Sequence, residues 1–161
     1  MDKIFSFAPI ADKNSRILIL GSMPGGESLR RQQYYGYTHN SFWKIMFTLL
    51  DTQPTEDYGA KKAMLLRHHI ALWDVIESCE REGSLDSAIK NAQPNDFAQL
   101  FESCPDIRNV FFNGAKAYDT YRRFVGFDAK REYTRLPSTS PAHAVRFEKK
   151  LSAWKQITKN N

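Results

Sequence analysis

Short apolar runs rich in β-branched residues alternate along this chain with segments whose apolar residues recur at helical spacing. The run at 16–20 (RILIL) is long enough for a buried parallel strand and too short for a helix, and it ends at Gly21. The runs at 70–73 and 107–112 have the same character, and a weaker one follows at 133–136. This alternation predicts an α/β fold, a three-layer α/β/α sandwich with a mostly parallel central sheet of about four strands.

Helices are predicted between these runs, where the apolar side chains form one stripe. The predicted helices lie at 42–50, at 60–69, from 94 through 101, at 115–124 and around 147–154. The chain of 161 residues has the length of one domain, and it contains no repeat, low-complexity tract or Pro/Gly-rich linker. We therefore expect a single domain over residues 1–161.

Composition and hydropathy argue against a disordered, a membrane-spanning and a secreted protein. Hydrophobic residues make up 42% and charged residues 25% of the chain, which is typical of a globular protein and not of a disordered one. No apolar run approaches the ~18 residues that a membrane span requires, and the N-terminal segment lacks the apolar stretch of a secretory signal. We expect a cytoplasmic protein without membrane contact. Its two cysteines, Cys79 and Cys104, are predicted to be reduced core thiols.

Basic residues are concentrated in the last third of the chain. The formal net charge is +5, and residues 116–155 carry ten basic against four acidic side chains. Binding to a phosphate backbone favours such an excess, because each neutralised phosphate releases counterions. A solvated helix surface would give the same pattern, so charge alone leaves both interpretations open.

A polar or glycine-rich segment follows each predicted strand. The carboxyl ends of parallel strands meet at one edge of a sheet, where ligands of such folds bind, so we expect these segments to form one cleft. Glycine allows a ligand to approach the backbone closely, and a Pro-Ser-Thr-Ser-Pro turn offers hydroxyl and N–H groups to an anion. Each segment is equally suited to be an ordinary turn or a helix cap. The candidate residues at these exits are Gly21, Ser22, Met23, Pro24, Gly25, Asp74, Asn113, Ser138, Thr139, Ser140, Pro141, Ala142 and His143.

The connection at 32–40 is more aromatic than a solvent loop, since it contains three tyrosines. Tyrosine offers a flat ring on which a base can stack and a hydroxyl that can reach a phosphate. Asn40 can both donate and accept, which suits it to hold a water molecule or to read the amide edge of a nucleobase. A cap of the helix that begins near Phe42 is an equally simple role for it.

Taken in order, these segments resemble the uracil DNA glycosylase superfamily, and within it the branch of hypoxanthine (deoxyinosine) DNA glycosylases. The resemblance spans about residues 16–155, and its motifs are specific as an ordered set although each is unspecific alone. The motifs are Leu20-Gly-Ser-Met-Pro-Gly25, Gln33-Tyr-Tyr-Gly36, Asn40-Ser-Phe-Trp43, Ala71-Leu-Trp-Asp-Val75, Phe111-Phe-Asn-Gly114 and Leu136-Pro-Ser-Thr-Ser-Pro-Ala142.

The resemblance implies a monofunctional DNA glycosylase, a monomer that flips a deaminated purine, chiefly hypoxanthine, out of double-stranded DNA. It would hydrolyse the N-glycosidic bond without a metal or other cofactor and so initiate base-excision repair. Asn40 would hold the attacking water, and Tyr35 and Phe42 would form the stacking face. The turn from Ser138 to Pro141 would grip the flanking phosphates, with Ala142 or His143 nearest the space vacated by the base. The other residues of the base pocket would be Gly21, Ser22, Met23, Pro24, Gly25, Asp74 and Asn113.

Two positions depart from the wider superfamily. Met23 stands where many relatives carry Asp or Asn, and Leu136 stands where uracil-removing members begin their second motif with His. Met23 cannot activate water and Leu136 cannot donate to a uracil oxygen, which predicts poor excision of uracil. The missing carboxylate or amide at Met23 keeps one alternative open, a module that binds damaged DNA without cutting it. The glycine-rich loop at 21–26 keeps open another, a small enzyme that binds a nucleotide or phosphate ligand.

Overall fold

The computed structural model describes residues 2–159, which form two sheets and seven helices. No helix within that range is both long enough and apolar enough to cross a bilayer. The strands are Lys3–Phe5 (β1), Ile17–Gly21 (β2), Ile70–Asp74 (β3), Ile76–Glu80 (β4), Lys90–Pro94 (β5), Asn109–Asn113 (β6) and Glu132–Leu136 (β7). The helices are Gly26–Arg31 (α1), Phe42–Leu49 (α2), Tyr58–Arg67 (α3), Phe97–Ser103 (α4), Ala115–Phe124 (α5), Phe147–Trp154 (α6) and Gln156–Lys159 (α7).

The larger sheet has four parallel strands in the order β3-β2-β6-β7. Ile17 at the start of β2 lies opposite Ile70 of β3 and Asn109 of β6, so these strands begin and end together. Every residue of β2 and β3 is buried, as expected for apolar strands of a parallel sheet that helices cover. The predicted α/β fold with a parallel sheet of four strands is confirmed.

Aromatic side chains join the helices to this sheet in one continuous core. Phe112 of β6 packs against Tyr121 of α5, with ring centroids 5.2 Å apart. Phe42 of α2 packs edge-on against Trp154 of α6 at 5.9 Å. Both cysteine thiols are buried and unpaired, in agreement with their predicted role. The core thereby fixes α2 and α6 beside the strand ends.

Two helices begin at other residues than the sequence predicts. The helix predicted at 60–69 begins at Tyr58, because the carboxylate of Asp57 accepts from two N–H groups of its first turn. The helix predicted from residue 94 begins only at Phe97, after Asp96, whose carboxylate caps it. Pro94 instead ends β5, where the absence of an N–H group is tolerated at the edge of a sheet.

A second sheet, which the sequence analysis does not predict, has three antiparallel strands in the order β1-β4-β5. β4 follows β3 after a single residue, Val75. The N–H of Val75 donates to the carbonyl of Gly21 at 2.8 Å, and the N–H of Ile76 donates to that of Ser22 at 3.1 Å. The smaller sheet therefore starts at the carboxyl edge of the larger one, beside the glycine-rich segment.

Candidate active site

The carboxyl ends of the parallel strands border a cavity of about 950 Å³. The segments that the sequence predicts to meet, although far apart along the chain, all reach it. The predicted site residues that line the cavity are Gly21, Ser22, Met23, Pro24, Gly25, Tyr35, Asn40, Asp74, Asn113, Ser138, Thr139, Ser140, Pro141, Ala142 and His143. Phe42 is the one predicted site residue that does not line it.

The cavity floor, formed by Gly21, Tyr35 and Asp74, has no room for a side chain at the glycine. A methyl group on Gly21 would lie 2.6 Å from Oδ1 of Asp74 and 2.9 Å from the hydroxyl oxygen of Tyr35. Both distances are too short for atoms that are not bonded, so any larger residue would push these groups away. Glycine at this position therefore allows the Asp74 carboxyl and the Tyr35 hydroxyl to converge.

The Asp74 carboxyl is almost enclosed, since only 4% of the residue is exposed. Its Oδ2 is buried and has no hydrogen-bond partner among residues 2–159. Burial, with a smaller effect of the Asp86 carboxylate, raises the pKa of Asp74 to about 7, against the opposing effect of the Arg81 guanidinium. At neutral pH the carboxyl is therefore divided between its neutral and ionised forms, a property typical of functional sites.

Asn113 at the end of β6 ties three segments together. Its Nδ2 donates to the Tyr35 hydroxyl at 3.0 Å and to Oγ1 of Thr139 at 2.9 Å, and its Oδ1 accepts from the N–H of Thr139 at 2.9 Å. The carbonyl of Thr139 accepts in turn from the N–H of Ser41 at 3.1 Å. Both amide hydrogens of Asn113 are thus engaged within the protein. Asn113 and the fully buried Thr139 hold the site together, and the Asn113 amide has no free donor for a ligand.

The predicted aromatic face is a stack of two rings, of which one reaches the cavity. The rings of Tyr35 and Phe42 lie 4.1 Å apart between centroids and are inclined by 20°. Phe42 is fully buried, so it supports the ring of Tyr35 and cannot itself face a ligand. Tyr35 has a φ of 53°, in the left-handed region that non-glycine residues rarely adopt. Such strain persists only where the surrounding contacts fix the residue, which is common at functional sites.

Asn40 lies half-buried at the edge of the cavity. Its Oδ1 accepts from the N–H of Phe42 at 2.9 Å, and its own N–H donates to the carbonyl of Tyr37 at 3.0 Å. An amide oxygen has a second lone pair, and within residues 2–159 the Nδ2 group makes no hydrogen bond. The side chain is therefore held at the start of α2, as a cap would be, and it still has groups free to bind a water molecule.

The turn after β7 is bonded to itself and to α6. The N–H groups of Ser140 and Ala142 donate to the hydroxyls of Ser138 and Ser140, at 3.1 and 3.2 Å. The N–H of His143 and the ammonium of the buried Lys150 both donate to the carbonyl of Ser140, each at 3.0 Å. The backbone N–H groups of Thr139, Ser140, Ala142 and His143 are thus already used. The hydroxyl hydrogens of Ser138 and Ser140 and the backbone N–H of Ser138 are donors that the turn can still offer to an anion.

The two positions that depart from the wider superfamily are both buried. Met23 is 7% exposed and packs against Ile76 and Cys79 in a small apolar cluster of the second sheet. Leu136 belongs to the main core. Neither side chain brings a polar atom to the cavity, so the groups that hold water or a base must come from elsewhere in the lining.

One wall of the cavity is absent from the sequence analysis. It is formed by residues 81–89, which connect β4 to β5 and which we call the flap; Ser84–Ser87 line the cavity. The flap has neither apolar periodicity nor a motif, and Gly83-Ser84 is its only turn signal. Three hydrogen bonds fasten it to the glycine-rich segment: from Nη2 of Arg81 to the carbonyl of Pro24 (2.6 Å), from the N–H of Gly26 to the hydroxyl of Ser84 (2.8 Å), and from the hydroxyl of Ser22 to Oδ1 of Asp86 (2.6 Å).

Comparison with known proteins identifies the family. Residues 8–160 match the family model described as "Uracil DNA glycosylase superfamily". The chain is 39% identical over 154 residues to the hypoxanthine DNA glycosylase of Methanosarcina acetivorans, which covers 94% of this chain and 95% of that protein. It is 35% identical over 156 residues to the hypoxanthine DNA glycosylase of Methanosarcina barkeri, with 95% and 96% covered.

The fold agrees with these sequence matches. The solution NMR structure of "a putative Uracil DNA glycosylase" from Methanosarcina acetivorans superposes with a TM-score of 0.80 at 37% sequence identity, over 97% of this chain and 96% of that one. The family predicted from the ordered motifs is thus confirmed by sequence and by structure. The chain belongs to the uracil DNA glycosylase superfamily.

Proposed function

We propose that this chain is a monofunctional DNA glycosylase that releases hypoxanthine from DNA and leaves an abasic site. The two relatives that carry the name hypoxanthine DNA glycosylase match it over almost their full length. The observation that carries the proposal is the cavity itself, in which the ring of Tyr35, the carboxyl of Asp74 and the amide of Asn40 border one space. Its volume lies in the range of pockets that enclose small ligands and leaves room for a flipped purine.

Hydrolysis of the glycosidic bond requires a positioned water more than a strong nucleophile, since the sugar becomes positively charged as the bond breaks. The C1′–N9 bond breaks with its electron pair on the purine, the water oxygen bonds to C1′, and a proton from water finally balances the charge of the departing base. Asn40 holds this water, because its amide is fixed by the N–H of Phe42 and retains free polar groups.

The departing purine accumulates negative charge, which a hydrogen-bond donor stabilises. Asp74 is the donor in this account. Its carboxyl has a pKa raised to about 7 and lines the cavity, so a large share of it is neutral at physiological pH and can donate to the base. An ionised Asp74 would instead repel the leaving base, so the neutral form is the active one.

Binding of DNA involves the outer parts of the cavity. The hydroxyls of Ser138 and Ser140 donate to the phosphates beside the flipped nucleotide, and Lys116, which also lines the cavity, adds positive charge. The protein acts on double-stranded DNA that contains the deaminated base, as a monomer, in the cytoplasm.

The proposal is tested with purified protein and a panel of duplexes that contain inosine, uracil, xanthine or ethenoadenine. The expected result is free hypoxanthine from the inosine duplex together with an abasic strand that alkali cleaves, and little release of uracil, since Met23 and Leu136 bring no polar atom to the cavity. Binding of inosine DNA without release of base would select the non-catalytic module instead.

Tight binding of free nucleotides with no salt-sensitive affinity for DNA would select the small nucleotide enzyme. One contact of the glycine-rich loop weighs against a phosphate there, because the N–H of Gly26 already donates to the hydroxyl of Ser84. No further alternative is supported by a specific contact.

A further inference from the structure

A second carboxyl group borders the cavity from the flap. Asp86 lines the cavity as Asp74 does, and unlike Asp74 it is exposed. Its Oδ1 accepts from the hydroxyl of Ser22 at 2.6 Å, and among residues 2–159 its Oδ2 accepts no hydrogen bond. The carboxylate is thus fastened through one oxygen, and the other oxygen remains free to accept from a ligand.

The two carboxyl groups differ in their surroundings. Asp74 is almost enclosed, whereas the charge of Asp86 is stabilised by water and by the Ser22 hydroxyl. Burial, and after it the negative charge of Asp86, raises the pKa of Asp74. The cavity therefore contains a carboxyl that can donate a hydrogen bond and a carboxylate that can only accept one.

The other carboxylates of the lining already have cationic partners. Glu27 pairs with two arginines of α1, and Oδ1 of Asp119 lies 3.7 Å from the guanidinium of Arg122. Asp86 forms no ion pair within residues 2–159. A negative charge without a partner weakens the binding of a polyanion such as DNA. Its place at the cavity is therefore best explained by a ligand that donates a hydrogen bond to it.

Deamination of adenine creates such a donor. Hypoxanthine has an oxygen acceptor at O6 and an N–H donor at N1, whereas adenine has an amino donor at N6 and a bare nitrogen acceptor at N1. An enzyme that removes hypoxanthine must reject adenine, a normal base of DNA. A fixed acceptor opposite N1 achieves this, because it bonds to hypoxanthine and faces a lone pair on adenine.

The carboxylate of Asp86 is suited to this discrimination because it is held in place and cannot donate. The hydroxyl of Ser22 holds its side chain, and the hydroxyl of Ser84 holds the backbone before it through the N–H of Gly26 at 2.8 Å. An amide or a hydroxyl could turn to present a hydrogen to adenine, whereas a carboxylate has none. Ser22 gives its hydroxyl hydrogen to Asp86, so it too can only accept from a base.

We infer that the Asp86 carboxylate accepts a hydrogen bond from N1–H of the flipped hypoxanthine and thereby excludes adenine. This inference rests on the proposed function, because it assigns a base contact inside the same cavity. Asp86 determines specificity and takes no part in breaking the glycosidic bond, which remains the task of Asn40 and Asp74. Its loss should therefore change which purine is released more than how fast a bound purine is released.

The test compares kcat/KM for base release from duplexes that contain inosine or unsubstituted purine (2′-deoxynebularine), for the wild-type protein and Asp86→Asn. Purine has the bare N1 of adenine without its amino group. An amide can turn its N–H toward that nitrogen, so the preference for inosine over purine should fall at least about 10-fold in the variant. Loss of the Asp86 charge also lowers the pKa of Asp74, which affects both substrates alike and leaves their ratio unchanged.

Glu82→Gln is the matched control. Glu82 is an exposed acid of the same flap and does not line the cavity, so its loss removes the same charge without removing a base contact. The preference for inosine should not change. Ser22→Ala keeps the carboxylate and frees its side chain, so the preference should fall about 3-fold. An equal loss of preference in Glu82→Gln and Asp86→Asn would overturn the inference, since overall charge would then explain it.

A second measurement separates failure of the inference from failure of the proposed function. The Kd values of both duplexes, measured at one salt concentration, should favour inosine for the wild-type protein and not for Asp86→Asn. Release of hypoxanthine with an unchanged preference in Asp86→Asn would contradict the role of Asp86 and leave the glycosylase supported. A wild-type protein that releases no base would contradict the glycosylase, and the Kd values would then support Asp86 if the variant loses the preference and contradict it if the preference persists.

Discussion

The two walls of the cavity differ in how the chain builds them. One wall consists of segments that follow parallel strands, at 21–25, 74 and 138–143, together with the connection at 32–40, and it holds most of the groups assigned to chemistry and phosphate binding. The other wall is the flap, 81–89, which joins two strands of a small antiparallel sheet. The charged residues Asp86 and Arg81 of the flap influence the pKa of Asp74.

This difference indicates that the two walls have different functions. In a parallel sheet the strand ends converge by topology, so reactive groups placed there meet without further support. The flap has no such constraint and depends on a few specific hydrogen bonds to stay beside the glycine-rich segment. Substitutions in the first wall should therefore abolish chemistry, whereas substitutions in the flap should alter the selection of the base or shift a pKa.

The largest effect is expected for Asn40→Ala. Loss of the group that holds the water should lower the single-turnover rate of hypoxanthine release by at least about 100-fold, with binding of the inosine duplex largely retained. His39→Ala is the control, because this neighbouring residue is exposed and its loss should change the rate little. A rate for Asn40→Ala within a few-fold of wild type would move the catalytic role to another residue.

The next largest effect is expected for the pH dependence of the reaction rate, which the Asp74 carboxyl controls. Because the neutral carboxyl is the active form, the single-turnover rate of the wild-type protein should fall about 10-fold per pH unit above its pKa of about 7. Asp74→Asn keeps an uncharged donor, so its rate should be lower at pH 6 but flat between pH 6 and 9. A wild-type rate that rises through pH 7 would show that the ionised form is active.

The raised pKa of Asp74 also makes the folding stability depend on pH. The folded state keeps the Asp74 proton up to about pH 7, whereas an unfolded chain loses it near pH 4. Folding stability contributed by this proton is present below pH 4 and is lost as pH rises toward 7. The Tm of Asp74→Asn should therefore exceed that of the wild type by more at pH 8 than at pH 5. An equal difference in Tm at both pH values would contradict this prediction.

Arg81→Met should have a moderate effect, on the attachment of the flap and on the pKa of Asp74, which rises further once the guanidinium is lost. The substitution removes the hydrogen bonds to the carbonyls of Pro24 and Gly83, which for a charged donor are worth about 1.5–3 kcal/mol each before relaxation. We expect Tm to fall by about 5 °C and the preference for inosine over purine to fall several-fold, because the flap then holds Asp86 less firmly. An unchanged preference would mean that the position of Asp86 does not depend on the guanidinium.

Ser84→Ala should have the smallest effect. It removes one neutral hydrogen bond, to the N–H of Gly26, which is exposed enough for water to replace the hydroxyl. We expect a loss of stability of about 0.5–1.5 kcal/mol and a change in duplex activity of about 2-fold. A loss as large as that of Arg81→Met would mean that the flap depends on this bond more than on the buried guanidinium.

The sequence predicts the first wall because its elements carry strong periodic signals. The strand at β2 is a continuous apolar run that ends in glycine, and β3 and β6 repeat the pattern, so the residues at their exits follow from the sequence alone. The roles within that wall are less predictable. Phe42 proves to lie behind Tyr35, and Asn113 proves to be fully bonded, because burial and partner choice are properties of the tertiary packing.

The second wall has no comparable signal. β5 has the sequence KNAQP, whose residues have low strand propensity, and β1 is only three residues long. Both strands exist because β4 lies between them and supplies their hydrogen bonds. The position of the flap that connects β4 to β5 therefore depends on antiparallel pairing that no local pattern predicts.

The most direct test is a crystal structure of the Asn40→Ala protein bound to an inosine duplex. We expect the hypoxanthine ring to lie in the cavity against Tyr35 and within hydrogen-bond distance of Asp74, with the turn at 138–143 on the flanking phosphates. A base that remains stacked in the helix, or that occupies another part of the surface, would contradict it.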